Sequence, residues 1–231
     1  MRMRRRNNLA PRMERCTELL VAEPLTMAGK WRQLMPDCKE LRVEVGCGKG
    51  KFTVETAQQE PDVLIIAIEK VKEAMILAME RAQEMQLKNV FFVDMDVCQI
   101  ARCFEPGEID LLYINFCDPW PRGKHAKRRL TYHSFLDQYA LALSDTGRIA
   151  FKTDNADLFE WSLEEMTACG WELRDVTRDL HKDGIVGVMT GYEEKFHALG
   201  TPINRCEAFK TAETHVIDPA DLEKEPQNPM Q

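Results

Sequence analysis

The stretch Val43-Glu44-Val45-Gly46-Cys47-Gly48-Lys49-Gly50-Lys51-Phe52 decides the fold. Residues 41–45 have the make-up of a short strand and residues 51–59 that of a helix, so the three glycines form a strand-to-helix turn. In an open α/β sheet such a turn, at the carboxyl end of the first strand, is where ligands bind. Two phosphate-cradling forms fail on spacing. A P-loop needs four residues between its glycine and a Gly-Lys pair followed by Ser or Thr; here Gly46 and Gly50 are one residue too close and Phe52 follows Lys51. A dinucleotide turn, Gly-x-Gly-x-x-Gly, would need glycine at position 51, which is lysine. What stands is Glu-x-Gly-x-Gly-x-Gly, in which Gly46, Gly48 and Gly50 let the backbone approach a ligand and Glu44 precedes the turn.

Outward from this turn the pattern stays regular. Residues 63–68 are an apolar, β-branched run of the kind buried on both faces of a parallel sheet. Val71, Ala74, Met75, Ala78, Met79 and Ala82 then recur at helical spacing, the methionines reading as core filler. Further strands are expected at 90–93, 109–114, 148–151, 171–176 and 203–209, with a turn at 144–147 entering the fifth. Helices are expected where Phe135, Leu136, Tyr139 and Leu143 share a face, over 156–168 with Gly170 as its stop, and briefly over 192–199. Seven strands alternating with helices predict a doubly wound, mostly parallel seven-stranded sheet with helices on both faces. The expected organisation is a basic arm with one short helix over 1–40, one α/β domain over 41–210, and an acidic, disordered tail over 211–231.

Composition narrows the function classes. Of 231 residues, 44% are hydrophobic and 30% charged, no run is apolar enough to span a bilayer, and the basic start has no apolar run behind it. The expected address is therefore the cytoplasm, with no membrane partner. Eight cysteines are scattered without a Cys-x-x-Cys pair or zinc-like Cys/His spacing, so they read as reduced packing thiols and no metal is expected. The net charge of −7 argues against a nucleic-acid partner only if charge were evenly spread, and it is not. Cations bunch at Arg2, Arg4, Arg5, Arg6, Arg12 and Arg15, and again at Arg122, Lys124, Lys127, Arg128 and Arg129; acids collect at the end of the chain.

Three carboxylates extend the ligand reading. Glu69 ends the second strand nineteen residues past Gly50, where a carboxylate can accept both ribose hydroxyls of a nucleoside; Asp94 and Asp96 end the third. Each alone reads equally as a solvated loop acid or a helix cap; the joint spacing favours a cofactor site. The fourth strand runs into Asn115-Phe116-Cys117-Asp118-Pro119-Trp120-Pro121, where the prolines stiffen a turn that presents a carboxylate and an indole on which a base could stack. The cations that follow are dense enough to meet several phosphates, against the alternative of a solvated face. His125 reads as a loop hydrogen-bonding residue.

The glycine turn resembles motif I of class I, Rossmann-like methyltransferases. The run NFCDPWPRGKHAKRRLTYHSFL, with Lys152-Thr153-Asp154-Asn155 and Met189-Thr190-Gly191-Tyr192-Glu193-Glu194-Lys195-Phe196, is similar to the signature of the bacterial tRNA guanine-7-methyltransferases, over about residues 29–209. That resemblance implies S-adenosylmethionine as cofactor and tRNA as partner. It implies donor contacts from Glu44, Gly46, Gly48, Gly50, Glu69, Asp96 and Asp118, and substrate contacts from Arg122, Asp154, Thr190, Gly191, Tyr192 and Glu193. Asp118 would be the catalytic residue, and Lys124, Lys127, Arg128 and Arg129 would meet the RNA backbone. The chain departs from the family at Arg122, where lysine is usual, and at Gly123, which frees the loop backbone.

Ring nitrogen 7 of guanine carries a lone pair and no proton, so the expected chemistry is positioning plus a carboxylate that stabilises the positive charge the base gains. Asp118, Asp154 and Glu193 are the expected readers of guanine's two adjacent donors. Cys47 and Cys117 lie close in sequence to the site and read as packing residues, not nucleophiles. Two alternatives stay open at this point: methylation of an exocyclic amine, and an RNA-binding protein that kept the fold without catalysis. Both monomer and homodimer fit.

Overall fold

The computed structural model describes residues 8–222. Seven strands, β1 (Glu40–Val45), β2 (Val63–Glu69), β3 (Val90–Asp94), β4 (Ile109–Asn115), β5 (Leu143–Thr153), β6 (Glu172–Thr177) and β7 (Asn204–Phe209), form one sheet in the order β3-β2-β1-β4-β5-β7-β6. The ladders from β3 to β5 are parallel, and β7 lies antiparallel between β5 and β6. This is the doubly wound, mostly parallel sheet that the alternation of elements predicts.

Strand alternation divides the core in two. Leu64, Ile66 and Ile68 of β2, with Val43 and Val45 of β1, pack against α4 (Ile100–Cys103), α5 (His133–Ala142) and α6 (Ala156–Ala168). The intervening Val63, Ile65 and Ala67 face α2 (Lys51–Gln59) and α3 (Lys72–Glu84), where the fully buried Met75 and Met79 fill the layer as expected. Gly170, at φ +79°, ends α6: its N–H donates to Thr167 O and that of Trp171 to Met166 O, each at 3.0 Å. One boundary moves. α5 stops at Ala142, and Leu143 opposes Ile109 as the first residue of β5, because the expected turn at 144–147 is an irregularity inside a longer strand.

The basic arm lies against the domain. Helix α1 (Leu9–Arg15) packs on α3, Leu20 bridges Phe92 and covers the β3 edge, and Trp31 is fully buried with Nε1 donating to Cys103 O at 2.7 Å. Arg12, counted among the arm's cations, is buried in an ion pair with Glu80, while Arg15 stays exposed. Arg2, Arg4, Arg5 and Arg6 lie outside the described residues, as do residues 223–231 of the tail. The rest of the tail departs from expected disorder. The hydroxyls of Thr211 and Thr214 both donate to Gly170 O at 2.8 Å, His215 N to Cys169 O at 3.0 Å, and Ile217 N to Asp137 O at 3.1 Å. Acidic composition hid this segment because backbone and hydroxyl groups, not apolar side chains, dock it. Among the described residues no helix is long and apolar enough to cross a membrane.

Candidate functional site

Strand order reverses between β1 and β4, and an open cleft of ≈ 970 Å³ lies at their carboxyl ends, lined by Val45, Gly46, Glu69, Asp96, Asp118 and Trp120 among others. A Cβ built on Gly46 or Gly48 would meet nothing within 4 Å, so the turn presents bare backbone to a ligand. Gly50 serves packing instead: at φ +70°, its Cβ would fall 2.2 Å from Ala78 Cβ, so glycine is what lets α2 and α3 approach here.

Two carboxylates border the turn. Glu69, ending β2, accepts from Gly48 N at 2.9 Å on one oxygen and from Val71 N at 2.8 Å on the other, which leaves lone pairs for ligand hydroxyls. Asp96 accepts from Cys98 N at 3.2 Å as the cap of the short 3₁₀ turn Val97–Gln99, and lies 3.5 Å from Lys70 Nζ. The cap reading and the cleft reading of Asp96 are both true. Asp94 instead pairs with Lys72 at 2.7 Å and does not line the cleft. Val97, Phe116 and Leu130 supply apolar wall that spacing did not single out, and Phe135 of the expected helix face joins them.

The opposite wall is the Asp118-Pro119-Trp120 turn. Phe116 and Trp120 sit at φ +51° and +41°, a left-handed backbone that costs bulky residues ~1–3 kcal/mol each and persists only where neighbours enforce it. At Phe116 the N–H is held by Lys152 O at 2.9 Å; at Trp120 the enforcing group is Arg129. Its Nε donates to Pro119 O and its Nη2 to Trp120 O, both at 3.1 Å, while the guanidinium lies 4.3 Å from the Trp161 ring centre. This corrects the expectation of an RNA-backbone contact: Arg129 is buried and its donors serve the turn. Arg128 lies 4.9 Å over Trp120 and lines the cleft. Arg122, Lys124 and Lys127 are exposed on or beside the 3₁₀ segment Gly123–Arg128, free to face phosphate. His125 packs near Trp120, its pKa held below the ordinary imidazole value by desolvation and then by Arg128, Lys124 and Arg122.

Two further expectations change. Glu44 points away from the cleft, because alternation along β1 turns Val45 toward it and Glu44 to the other face. It is 2% exposed, its carboxylate accepting from the Thr53 hydroxyl and, at 3.0 Å, from Asn115 Nδ2, so it ties β1 to α2 and β4. Burial pushes its carboxyl pKa up, with those two hydrogen bonds opposing. Glu193, expected to read the base, is fully buried: it receives Lys152 Nζ at 2.7 Å, His181 Nε2 at 2.9 Å and Thr190 N at 3.0 Å. Burial pushes the Lys152 ammonium pKa down, and Glu193 opposes that shift. Thr190 and Glu193 form a capping box for α7 (Gly191–Ala198), a reading that Thr-x-x-Glu offered in the sequence. Lys51 reaches Met189 O at 3.3 Å and Glu194 at 3.0 Å, fixing the exposed Gly191 and Tyr192 beside the glycine turn. Asp154 follows β5 at the same sheet edge, half-buried; it, Arg122 and Tyr192 are not among the cleft-lining residues.

Residues 39–206 match a family described as "Putative methyltransferase". Curated relatives include the tRNA (guanine-N(7)-)-methyltransferase of Lachnoclostridium phytofermentans, 42% identical over 198 residues and covering 85% of this chain and 92% of the relative. The enzyme of the same name from Bacillus subtilis is 41% identical, over 82% of this chain and 90% of that one. Among solved structures, the 16S rRNA methyltransferase KamB shares the fold at a TM-score of 0.59 and 17% identity, over 79% of this chain and 94% of that one. With a cradle of bare glycine backbone, flanking carboxylates and this sequence kinship in agreement, the chain belongs to the tRNA (guanine-N(7)-)-methyltransferase family.

Proposed function

We propose that this protein transfers a methyl group from S-adenosylmethionine to N7 of the guanosine at position 46 in the variable loop of tRNA. The observation that carries this reading is that the open glycine turn, Glu69 and Asp96 share one cleft with Asp118 and Trp120. The residues fit the cofactor: bare backbone at Gly46 and Gly48 for close approach, Glu69 with lone pairs for ribose hydroxyls, Asp96 and the apolar Val97 beside an adenine, and Asp118 facing the cationic end. S-adenosylmethionine, when bound, supplies an electrophilic methyl group.

The chain's own task is alignment. Guanine N7 brings its own lone pair, so no side chain need remove a proton, and positioning is the main catalytic contribution. Trp120, held in strained backbone by Arg129, offers the face on which the purine stacks, and Arg128 above it adds positive field for the adjacent phosphate. Asp118, exposed at the cleft mouth, stabilises the positive charge that the base gains, more in the transition state than before it. Asp154, Gly191 and Tyr192, at the same sheet edge, bind the substrate, and Arg122, Lys124 and Lys127 hold the RNA backbone. Residues 41–210 are the catalytic unit, and with tRNA as substrate the cytoplasm is the place of action.

The test is to incubate the full chain with methyl-labelled S-adenosylmethionine and an unmodified tRNA transcript, digest the RNA and identify the labelled nucleoside by mass spectrometry. The expected product is 7-methylguanosine at the variable-loop position, lost in Asp118→Ala, which keeps the wild-type melting temperature. Label on an exocyclic amine, or full activity in Asp118→Ala, overturns the assignment.

A further inference from the structure

On the flank of the sheet, α6 carries the chain ~20 Å away from the cleft, at 1.5 Å per residue, before it reaches Cys169. There three side chains from distant parts of the sequence converge: Asp137 in α5, Cys169 at the end of α6, and His215 in the C-terminal segment. Their oxygen, sulfur and nitrogen donors all lie within 4.8 Å of one another. The thiol is buried, the carboxylate half-buried and the imidazole exposed. We propose that these three residues bind a zinc-like divalent cation, which fastens residues 211–222 to α5 and α6.

Three observations converge on a site rather than a chance cluster. The donor set, one thiolate, one imidazole and one carboxylate, suits zinc, and three protein ligands leave the fourth tetrahedral position to water. Asp137 Oδ1 is buried and has no hydrogen-bond partner among the described residues, an acceptor left over once the internal bonds are made. The framework is held by backbone: His215 N donates to Cys169 O at 3.0 Å and Ile217 N to Asp137 O at 3.1 Å, so the docking of the segment itself brings the third donor in. Glu165 beside them is anchored through Oε1, which meets the His133 N–H at 3.0 Å and its Nδ1 at 2.9 Å.

Zinc–ligand lengths of ~2.0–2.3 Å place tetrahedral donors roughly 3.5 Å apart, so binding draws the donors together by about 1 Å. The exposed His215 ring is free to make that movement. Binding forms a metal–sulfur bond and releases the Cys169 thiol proton to solvent; the carboxylate and neutral imidazole bind without proton loss. Net charge at the site then balances, two negative ligands against a divalent cation. The site is distinct from the methyl-transfer cleft, and His215 lies beyond the residues matched by the family.

The test uses the full chain, stripped with chelator and titrated with Co²⁺ as a spectroscopic stand-in, then with competing Zn²⁺. Wild type is expected to take one equivalent with a thiolate-to-cobalt charge-transfer band, to lose that band to zinc, and to melt at a temperature that rises with free zinc. Cys169→Ser abolishes the band. His215→Ala, at an exposed position that folding tolerates, weakens binding by at least the ~10–100-fold that loss of an outer-shell partner costs. Absence of the band in wild type, or undiminished binding in His215→Ala, overturns the proposal. Methyl transfer to tRNA, followed in parallel, reads the cleft independently.

Discussion

Replacing Arg129 by alanine separates two readings that give opposite results. As a phosphate contact, its loss would weaken tRNA binding, lower the salt dependence and leave stability untouched. The structure instead makes it the clamp of the Asp118–Trp120 turn. Two hydrogen bonds from a charged donor contribute ~1.5–3 kcal/mol each, and the stack on Trp161 adds ~0.5–2 kcal/mol. Offsetting this, water can reach the freed carbonyls of a half-buried turn, and Trp120 relaxes ~1–3 kcal/mol of backbone strain. The net destabilisation is therefore ~2–4 kcal/mol, a fall in melting temperature of roughly 4–16 °C for a chain of this size. Relaxation moves Asp118 and Trp120 together, and a displacement near 1 Å can cost ~10²-fold in rate, so kcat falls steeply. Scanning calorimetry and steady-state methyl transfer at two salt concentrations measure both effects. Arg129→Lys recovers little, since a single ammonium cannot span two carbonyls as the planar fork does. An unchanged melting temperature, with a raised KM for tRNA and a shallower salt slope, refutes the clamp.

Lys124→Ala/Lys127→Ala should show the reverse: unchanged melting, weaker tRNA binding, and a log K against log salt slope shallower by ~0.7–0.9 per residue, read by filter binding. Gly50→Ala combines a positive φ with a Cβ 2.2 Å from that of Ala78, so a loss of ~3–5 kcal/mol is expected in urea denaturation; a loss under ~1 kcal/mol would mean that α2 and α3 are not locked there. Glu44→Gln tests the buried carboxylate. Because burial raises its folded pKa above the ordinary 4.5, wild-type stability is greatest with Glu44 protonated and declines as pH rises from 4.5 through the folded value. Glutamine escapes that decline: its carbonyl can still accept from Asn115 Nδ2, and its amide N–H can donate to the Thr53 hydroxyl. The variant should therefore gain on wild type between acid and neutral pH in urea midpoints; a pH-independent difference sinks the assignment.

Sequence by itself determined the sheet, because period-two and period-3.6 apolar patterns dictate which faces must be buried, and the methionine stripe of α3 packs as that pattern requires. It also determined where to look, since the glycines, Glu69, Asp96 and Asp118 follow strand ends, and strand ends meet at one edge of a parallel sheet. What only tertiary structure decided is which polar groups remain free to act. Arg129 and Lys124 are alike in sequence, yet one has its donors fixed by Pro119 and Trp120 while the other is exposed. Glu44 and Glu193 read as ligand carboxylates until their partners Thr53, Asn115, Lys152 and His181, far apart along the chain, fold onto them. The meeting of Asp137, Cys169 and His215 is likewise invisible to local spacing. The physical reason is common to all these cases: burial pattern is a short-range property of the chain, whereas hydrogen-bond and ligand geometry depend on three-dimensional contacts that only the folded chain creates.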